Sequence, residues 1–206
     1  MIKLKVFDQN IAEVNSYLLI KQKDAIVIDP GFNGDQINDF CQLNDISIKD
    51  VLLTHGHFDH IKGIEKLAKN HQFKIHVSEA DAKMLSDENM NYAKAFGQTF
   101  RKPDNIEVIV LLNDKIEILG EKLTIFFTPG HTKGSICILH ENKLFSGDTL
   151  FSDSIGRTDL VTGSSIDIKR SLELLKKVVS NKVMVYPGHG KSSEMKKIKE
   201  ENYYLK

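Results

Sequence analysis

Three histidines and an aspartate lie within six residues in the first third of the chain, in the sequence Thr-His-Gly-His-Phe-Asp-His at positions 54–60. Imidazoles and a carboxylate at this spacing are typical of a metal site, and without thiolate ligands they suit Zn, Mn or Fe. His55 and His57 alternate to one side of the loop, whereas Asp59 and His60 follow a turn and can serve a second point. A solvated or core-satisfied set of histidines is the other interpretation, and it fits a lone histidine better than this cluster.

The element that must position this loop is the apolar run before it. Residues 51–53 are Val-Leu-Leu, which predicts the end of a short buried strand. Gly56 permits the tight backbone path that a loop needs to turn several side chains inward. We therefore expect the loop to follow directly from a strand.

Three later turns each present one further ligand-type side chain. An apolar, strand-like run ends in a small-residue turn at Pro-Gly-His131, at Ser-Gly-Asp148 and at Pro-Gly-His189. Three turns of the same design predict that these side chains complete the site begun by the first loop.

This order of motifs resembles the metallo-beta-lactamase fold superfamily of metal-dependent hydrolases, from about Val14 to the end of the chain. The resemblance implies an α/β fold, α+β in some schemes: a four-layer αβ/βα sandwich with two mixed sheets flanked by helices. Periodicity alone predicts only an α/β or α+β protein.

Carried onto this sequence, the resemblance implies two divalent metal ions, with Zn first and Fe or Mn as alternatives. One ion is expected on His55, His57 and His131, the other on Asp59, His60 and His189, with Asp148 bridging them. A metal-bound hydroxide is then the nucleophile, and Asp59 also orients it. Asp29, at another strand end, resembles the family's supporting carboxylate, which orients a ligand imidazole. The alternative for Asp29 is an ordinary residue of an Asp-Pro-Gly turn.

The segment Gly156-Arg157-Thr158-Asp159 resembles the glyoxalase II-like branch of this superfamily. This implies thioester hydrolysis, with S-lactoylglutathione as the model substrate. Full-length glyoxalase II enzymes carry an additional C-terminal helical domain, and we expect residues 1–206 to form a single hydrolase domain without it. Arg157 can pair with Asp159 or meet a substrate carboxylate, and the short spacing favours the pair.

Other members of the superfamily leave alternatives open. The commonest beta-lactamases have a cysteine where Asp148 stands, which disfavours antibiotic hydrolysis because Cys41 and Cys137 lie elsewhere. Flavodiiron members differ from this chain in the first motif and carry a flavin domain. RNA-processing members are longer and carry additional arms or domains. Both classes are therefore disfavoured. A mononuclear iron persulfide dioxygenase, a lactonase or other esterase, and a non-catalytic binding module remain as alternatives.

Composition limits the class of partner. The chain has 206 residues, 41% of them hydrophobic, and equal numbers of basic and acidic side chains, 28 each, so no net positive field favours nucleic acid. Residues 1–7 lack the apolar core of a signal peptide, no segment has the length and hydropathy of a membrane span, and the two cysteines suggest no disulfide framework. We expect a cytoplasmic enzyme with a small-molecule substrate, without nucleic-acid or membrane partners and in an undefined oligomeric state.

The elements between the motifs follow from periodicity. Ser78 followed by Asp81 predicts a helix N-terminus close to a capping box. Met90, Tyr92, Phe96 and Phe100 could mark a helical cover near the site, although core packing is the commoner role of such a stripe. His71 and His76 are expected to be ordinary histidines. Strands are predicted at 2–7, 15–20, 25–29, 74–77, 108–111, 116–119, 123–127, 135–139, 143–145 and 183–186, and helices at 35–43, 62–70 and 167–178.

Overall fold

Each half of the chain is built on a six-stranded sheet in the computed structural model, which describes residues 2–8 and 10–206. The first unit is Met1–Leu111 and the second is Leu112–Lys206. Both sheets contain parallel and antiparallel pairs, so both are mixed, as predicted.

The first sheet begins antiparallel and ends parallel. β1 pairs with β2 and β2 with β3 in antiparallel fashion, and β3, β4, β5 and β6 then pair in parallel in that order. The strands are β1 (Lys3–Phe7), β2 (Ser16–Lys21), β3 (Asp24–Ile28), β4 (Ser47–Leu52), β5 (Lys74–Ser78) and β6 (Val108–Leu111).

Helix α1 (Gly34–Asn44) connects the parallel strands β3 and β4, because parallel strands need a crossover connection. Ile37 and Cys41 lie one turn apart on its apolar face and are fully buried in the core of this unit. The helix ends at Asp45, whose left-handed backbone (φ 54°) lets its N–H bond to the last carbonyls.

The helix predicted at 62–70 is instead two short helices, α2 (Phe58–Ile61) and α3 (Ile64–Leu67). They are separated at Gly63, where an added Cβ would lie 2.8 Å from the carbonyl oxygens of Pro30 and Gly31. Residue 63 must therefore be a glycine, because the backbone of residues 30 and 31 packs closely against it. The first turn starts earlier than predicted, directly after His57.

The second sheet is mostly antiparallel, with a single parallel pair between β10 and β11 among the described strands. Its neighbours follow chain order: β7 (Lys115–Ile118), β8 (Glu121–Phe127), β9 (Ile136–His140), β10 (Lys143–Gly147), β11 (Met184–Pro187) and β12 (Ser193–Glu194).

Helix α4 (Ser165–Val178) is the crossover between the parallel strands β10 and β11. The Ser164 side chain accepts a hydrogen bond from the Asp167 N–H, which caps the helix N-terminus. Ile168 and Leu172 lie on the stripe predicted from periodicity, and they are buried with helix α5 (Met195–Glu201) in the core of the second unit.

One local prediction was wrong, and the possible helical cover marked by Met90, Tyr92, Phe96 and Phe100 is not an α-helix. Ser78 is the last residue of β5 rather than a helix cap, and the Asp81 carboxylate bonds to another part of the chain. Residues 82–104 contain two 3₁₀ turns, Ala82–Leu85 and Lys94–Phe96, and no α-helix. In the stripe of large side chains, Phe100 is buried in the core and Phe96 is exposed.

Within the described part of the chain, no helix is both long and apolar enough to span a membrane. Cys41 and Cys137 are free, buried thiols that lie in different units.

Candidate metal centre

The loop after β4 carries three buried imidazoles that pack against one another. His55, His57 and His60 are 1%, 4% and 0% exposed. The His55 ring centroid lies 4.8 Å from that of His57 and 4.1 Å from that of His60. Three imidazoles at this spacing suit a shared cation, because neutral imidazole presents a nitrogen lone pair.

Asp59 lies beside this group at the edge of the loop. Its Oδ2 is 3.8 Å from His60 Nε2, and its side chain is 25% exposed. It is therefore the member of the first motif that solvent or a small molecule reaches most easily.

Asp29 holds this loop through hydrogen bonds to Thr54 and His60. Its buried carboxylate accepts hydrogen bonds from the Thr54 N–H (2.8 Å), the Thr54 hydroxyl and His60 Nδ1 (2.9 Å). Because a carboxylate only accepts, His60 carries its proton on Nδ1 and keeps the Nε2 lone pair. Asp29 has a left-handed backbone, with φ 48°.

Thr54 fixes the orientation and tautomer of His55 in a similar way. Its hydroxyl proton is committed to Asp29, so its oxygen accepts from His55 Nδ1, 3.1 Å away. His55 therefore also presents the Nε2 lone pair. One carboxylate thus sets the tautomer of two imidazoles.

Residues 81–92 support the loop from another side, and sequence reasoning missed this contribution. The fully buried Asp81 carboxylate accepts a 3.0 Å hydrogen bond from the Gly56 N–H, and the Asn91 carbonyl accepts one of 2.9 Å from the Phe58 N–H. Gly56 does not have a positive φ. An added Cβ there would lie 2.6 Å from the Met84 Cβ, so the glycine provides space rather than a special dihedral angle.

In the second unit, three strand ends bring His131, Asp148 and His189 together. β10 and β11 are parallel, so the residues that follow them, Asp148 and His189, emerge at one edge of the sheet. β9 is antiparallel to β10, so His131, which precedes β9, lies at that edge too. These three side chains therefore lie at one edge of the sheet. That they complete the site begun by the first loop stays a prediction.

Both imidazoles lie near one carboxylate oxygen. His131 Nε2 is 3.5 Å and His189 Nε2 is 3.6 Å from Asp148 Oδ2. These separations exceed ordinary hydrogen bonds. Ligand atoms about 2.0–2.2 Å from a tetrahedral ion lie roughly 3.4 Å from each other, so the donor set fits a divalent metal ion.

The predicted substrate loop, residues 156–159, holds the His131 ring in place. Its Nδ1–H donates to the Arg157 carbonyl oxygen at 2.8 Å, which leaves Nε2 toward Asp148. The Arg157 side chain points its guanidinium at Asp159, with two hydrogen bonds of 2.7 Å. The preferred interpretation of Arg157, an ion pair within one turn, is what the structure contains.

His71 and His76 lie apart from these groups. His71 Nδ1 accepts from the Ile48 N–H at 3.3 Å, and its pKa is lowered by burial and then by the nearby Lys49 charge. His76 Nε2 lies 2.7 Å from Asp50. Both histidines have structural partners, as expected.

Comparison with known sequences decides the family. A sequence model of the metallo-beta-lactamase superfamily matches residues 11–189, and a probable metallo-hydrolase of Methanocaldococcus jannaschii is 36% identical over 182 residues, 85% of this chain and 87% of that protein. The chain belongs to the metallo-beta-lactamase superfamily. The prediction of a metal-dependent hydrolase of this superfamily, with His and Asp metal-binding groups, is confirmed at that level.

Solved structures of the metallo-beta-lactamase superfamily confirm the fold prediction. The B3 metallo-beta-lactamase BLEG-1 has a TM-score of 0.91 and 26% identity, and the similarity covers 98% of this chain and 99% of that one. TTHA1623 in a di-iron-bound form has a TM-score of 0.86 and 25% identity, with 98% and 100% coverage.

Proposed function

We propose that this protein is a dinuclear metallohydrolase that cleaves a thioester, in the manner of a short glyoxalase II. The ligand assignment rests on the order of the motifs and on family membership: His55, His57 and His131 for one ion, Asp59, His60 and His189 for the other, and Asp148 for both. Zn is the first choice of metal, with Fe or Mn as alternatives.

The observation that carries the proposal is the fixed orientation of the buried imidazoles. The Nδ1–H groups of His55, His60 and His131 each meet an oxygen acceptor, so each ring presents Nε2. Histidines that serve only core packing have no need for a common tautomer. Metal ligands do, because the bound nitrogen must be unprotonated.

Bound divalent ions would supply a Lewis acid for the substrate carbonyl and would lower the pKa of an attacking water. The chain contributes the remaining functions. Asp59 is partly exposed beside His60, so its carboxylate can accept a hydrogen bond from that water and orient it. Hydrogen bonds to Asp29 and to the Arg157 carbonyl hold the His60 and His131 rings in a fixed orientation.

The thioester substrate is a more specific proposal than the hydrolase activity itself. It is supported by the glyoxalase II-like segment at residues 156–159, which holds His131 through a backbone carbonyl. An acyl-glutathione is the first candidate because its thiolate is a good leaving group. A small-molecule substrate, a single domain and a cytoplasmic location stay predictions.

A β-lactam is a second candidate substrate, favoured by the similarity to the B3 enzyme BLEG-1. Asp148 disfavours only the beta-lactamase type that has cysteine at that position. The similarity to a di-iron-bound structure supports iron as a candidate metal. The mononuclear iron persulfide dioxygenase remains the alternative that the metal content tests.

The deciding experiment combines elemental analysis of protein purified without chelator with four assays on the same sample. These are thiol release from S-lactoylglutathione, hydrolysis of a chromogenic cephalosporin, opening of a lactone, and oxygen consumption with glutathione persulfide. Two metal ions per chain with thiol release as the fastest reaction is the expected result. One iron per chain with oxygen consumption and no thiol release would replace the proposal by the dioxygenase.

A further inference from the structure

Tyr92 has a backbone conformation that a bulky side chain rarely adopts. Its φ is 68°, in the left-handed region, and it lies between the two 3₁₀ turns of residues 82–96. A large residue remains in this region only where its surroundings fix it, and such positions concentrate at functional sites.

The preceding residue, Asn91, supplies that fixation. Its fully buried side chain donates to the Met84 carbonyl at 2.7 Å and accepts from the Ala93 N–H at 2.9 Å. Its backbone carbonyl accepts from the Phe58 N–H at 2.9 Å. The residue next to Tyr92 is thus bonded to the residue that follows His57 in the candidate metal loop.

The Tyr92 ring itself lies edge-on to the His57 ring. The ring centroids are 5.5 Å apart and the planes meet at 80°. Aromatic rings in this arrangement attract, because the positive edge of one meets the negative face of the other. The contact restricts rotation of the imidazole, which is itself 4% exposed.

Three consecutive loop residues therefore contact the same segment. Gly56 bonds to Asp81, His57 meets the Tyr92 ring and Phe58 bonds to Asn91. The two backbone contacts fix where the loop runs. The ring contact is the one that acts directly on a proposed metal ligand.

We propose that Tyr92 is a positioning residue that sets the ring plane of His57 for metal binding. The inference rests on the proposed function, in which His57 is a ligand. It assigns the effect to the aromatic ring of Tyr92, because that ring lies against the His57 ring.

The test compares Tyr92→Leu with Tyr92→Phe, and it uses Phe96→Leu as the matched control. Phe96 lies on the same segment but stacks on Phe58, at 5.3 Å between centroids. Each variant keeps a large side chain at the substituted position. Leu and Phe must both adopt the same left-handed backbone conformation at position 92, so backbone strain does not distinguish them. Zn²⁺ affinity is measured by competition with a chromophoric chelator, and the His57 ring signals of metal-free protein are measured by NMR.

We expect Tyr92→Leu to weaken Zn²⁺ affinity about 10-fold and to shift the His57 ring signals. Tyr92→Phe and Phe96→Leu should retain the affinity within about 2-fold and leave those signals in place. Wild-type Zn²⁺ affinity in Tyr92→Leu would overturn the inference, whatever the His57 signals show, and would leave the proposed function standing. A wild-type protein that binds no metal and hydrolyses nothing would overturn both.

Discussion

His131 and Arg157 are joined through the backbone, because the imidazole Nδ1–H donates a 2.8 Å hydrogen bond to the Arg157 carbonyl oxygen. A loop that resembles a substrate-binding element thus also orients a proposed metal ligand. The residue before Arg157 makes this possible. At Gly156 an added Cβ would overlap the Asp148 carbonyl oxygen and would lie 2.9 Å from His131 Nδ1.

Gly156→Ala should therefore disturb two proposed ligands at once. The new methyl group forces the 156–157 backbone away from Asp148 and breaks the bond to His131. We expect a loss of about 1–3 kcal/mol in the free energy of unfolding, together with reduced metal content. Chemical denaturation and elemental analysis measure the two effects. The control is Gly97→Asn, at an open position with φ 64° that asparagine tolerates.

Asp148→Asn removes the only carboxylate proposed to serve both metal ions. The amide has nearly the same shape but no negative charge opposite His131 and His189, so metal should be lost from protein purified without added ions. Hydrolysis should fall about 100- to 1000-fold, since a bound ion is worth several kcal/mol to the transition state. Asp153→Asn, at an exposed position on the same loop, is the control. Full metal content and full activity in Asp148→Asn would show that the working site lies elsewhere.

The proposed ligands could be recognised from the sequence because their spacing is local. His55, His57 and His60 belong to one loop, and strand-like runs before His131 and His189 show that both lie at strand ends. Asp81 and Tyr92 could not be recognised, because their roles depend on contacts with residues 25 and 35 positions earlier in the sequence. No local pattern specifies such contacts.

The same distinction applies to the fold. The helices α1 and α4 were predicted because each has an apolar stripe long enough to show its period. The break between α2 and α3 was missed. It lies at Gly63, which packs against the carbonyls of Pro30 and Gly31, and such a contact between distant residues leaves no local pattern. Ser78 and Asp81 have the composition of a helix start, but β5 continues through Ser78 and the Asp81 side chain bonds to Gly56.

Asp29→Asn should weaken metal binding without changing any proposed ligand. The amide cannot accept from both Thr54 and His60 as the carboxylate does, so the His60 tautomer is no longer fixed. We expect metal affinity to fall about 10- to 100-fold, measured by chelator competition. Asp45→Asn is a matched control, because Asp45 has a similar φ of 54° but is exposed. Equal affinities of the two variants would contradict the supporting role of Asp29.

Cys41 and Cys137 should be unreactive in the folded protein. The pKa of each thiol is raised to about 11, and burial is the main cause for both. At pH 8 a thiol reagent should label neither cysteine in native protein and both after unfolding, where the thiol pKa is about 8.5. Rapid labelling of native protein would show that one of these sites opens.

The same raised thiol pKa values affect stability at alkaline pH. Between about pH 8.5 and 11 the unfolded chain loses thiol protons that the folded chain keeps. The unfolded state then binds fewer protons, so the free energy of unfolding should decrease as pH rises through this window. Replacing both cysteines by alanine should remove that part of the pH dependence, as measured by denaturation at pH 8, 9 and 10.

The Asp159 carboxyl should titrate at low pH because it is paired with the Arg157 guanidinium, which stays charged. Hydrogen bonding from the Arg157 guanidinium is the main cause that lowers the pKa of Asp159 to about 2. Because the folded value is depressed below the usual value of about 3.9, the pair's contribution to stability is present above pH 4 and is lost as pH falls toward 2. In Arg157→Ala the Asp159 pKa should return to about 4, as followed by NMR of the carboxyl carbon.

Metal content should stay at the wild-type level in Arg157→Ala, because His131 bonds to the backbone of residue 157 rather than to its side chain. An increase in KM for an acyl-glutathione in Arg157→Ala but not in Asp159→Asn would assign the guanidinium to the substrate, whereas equal KM values would leave it as a pair that shapes the loop.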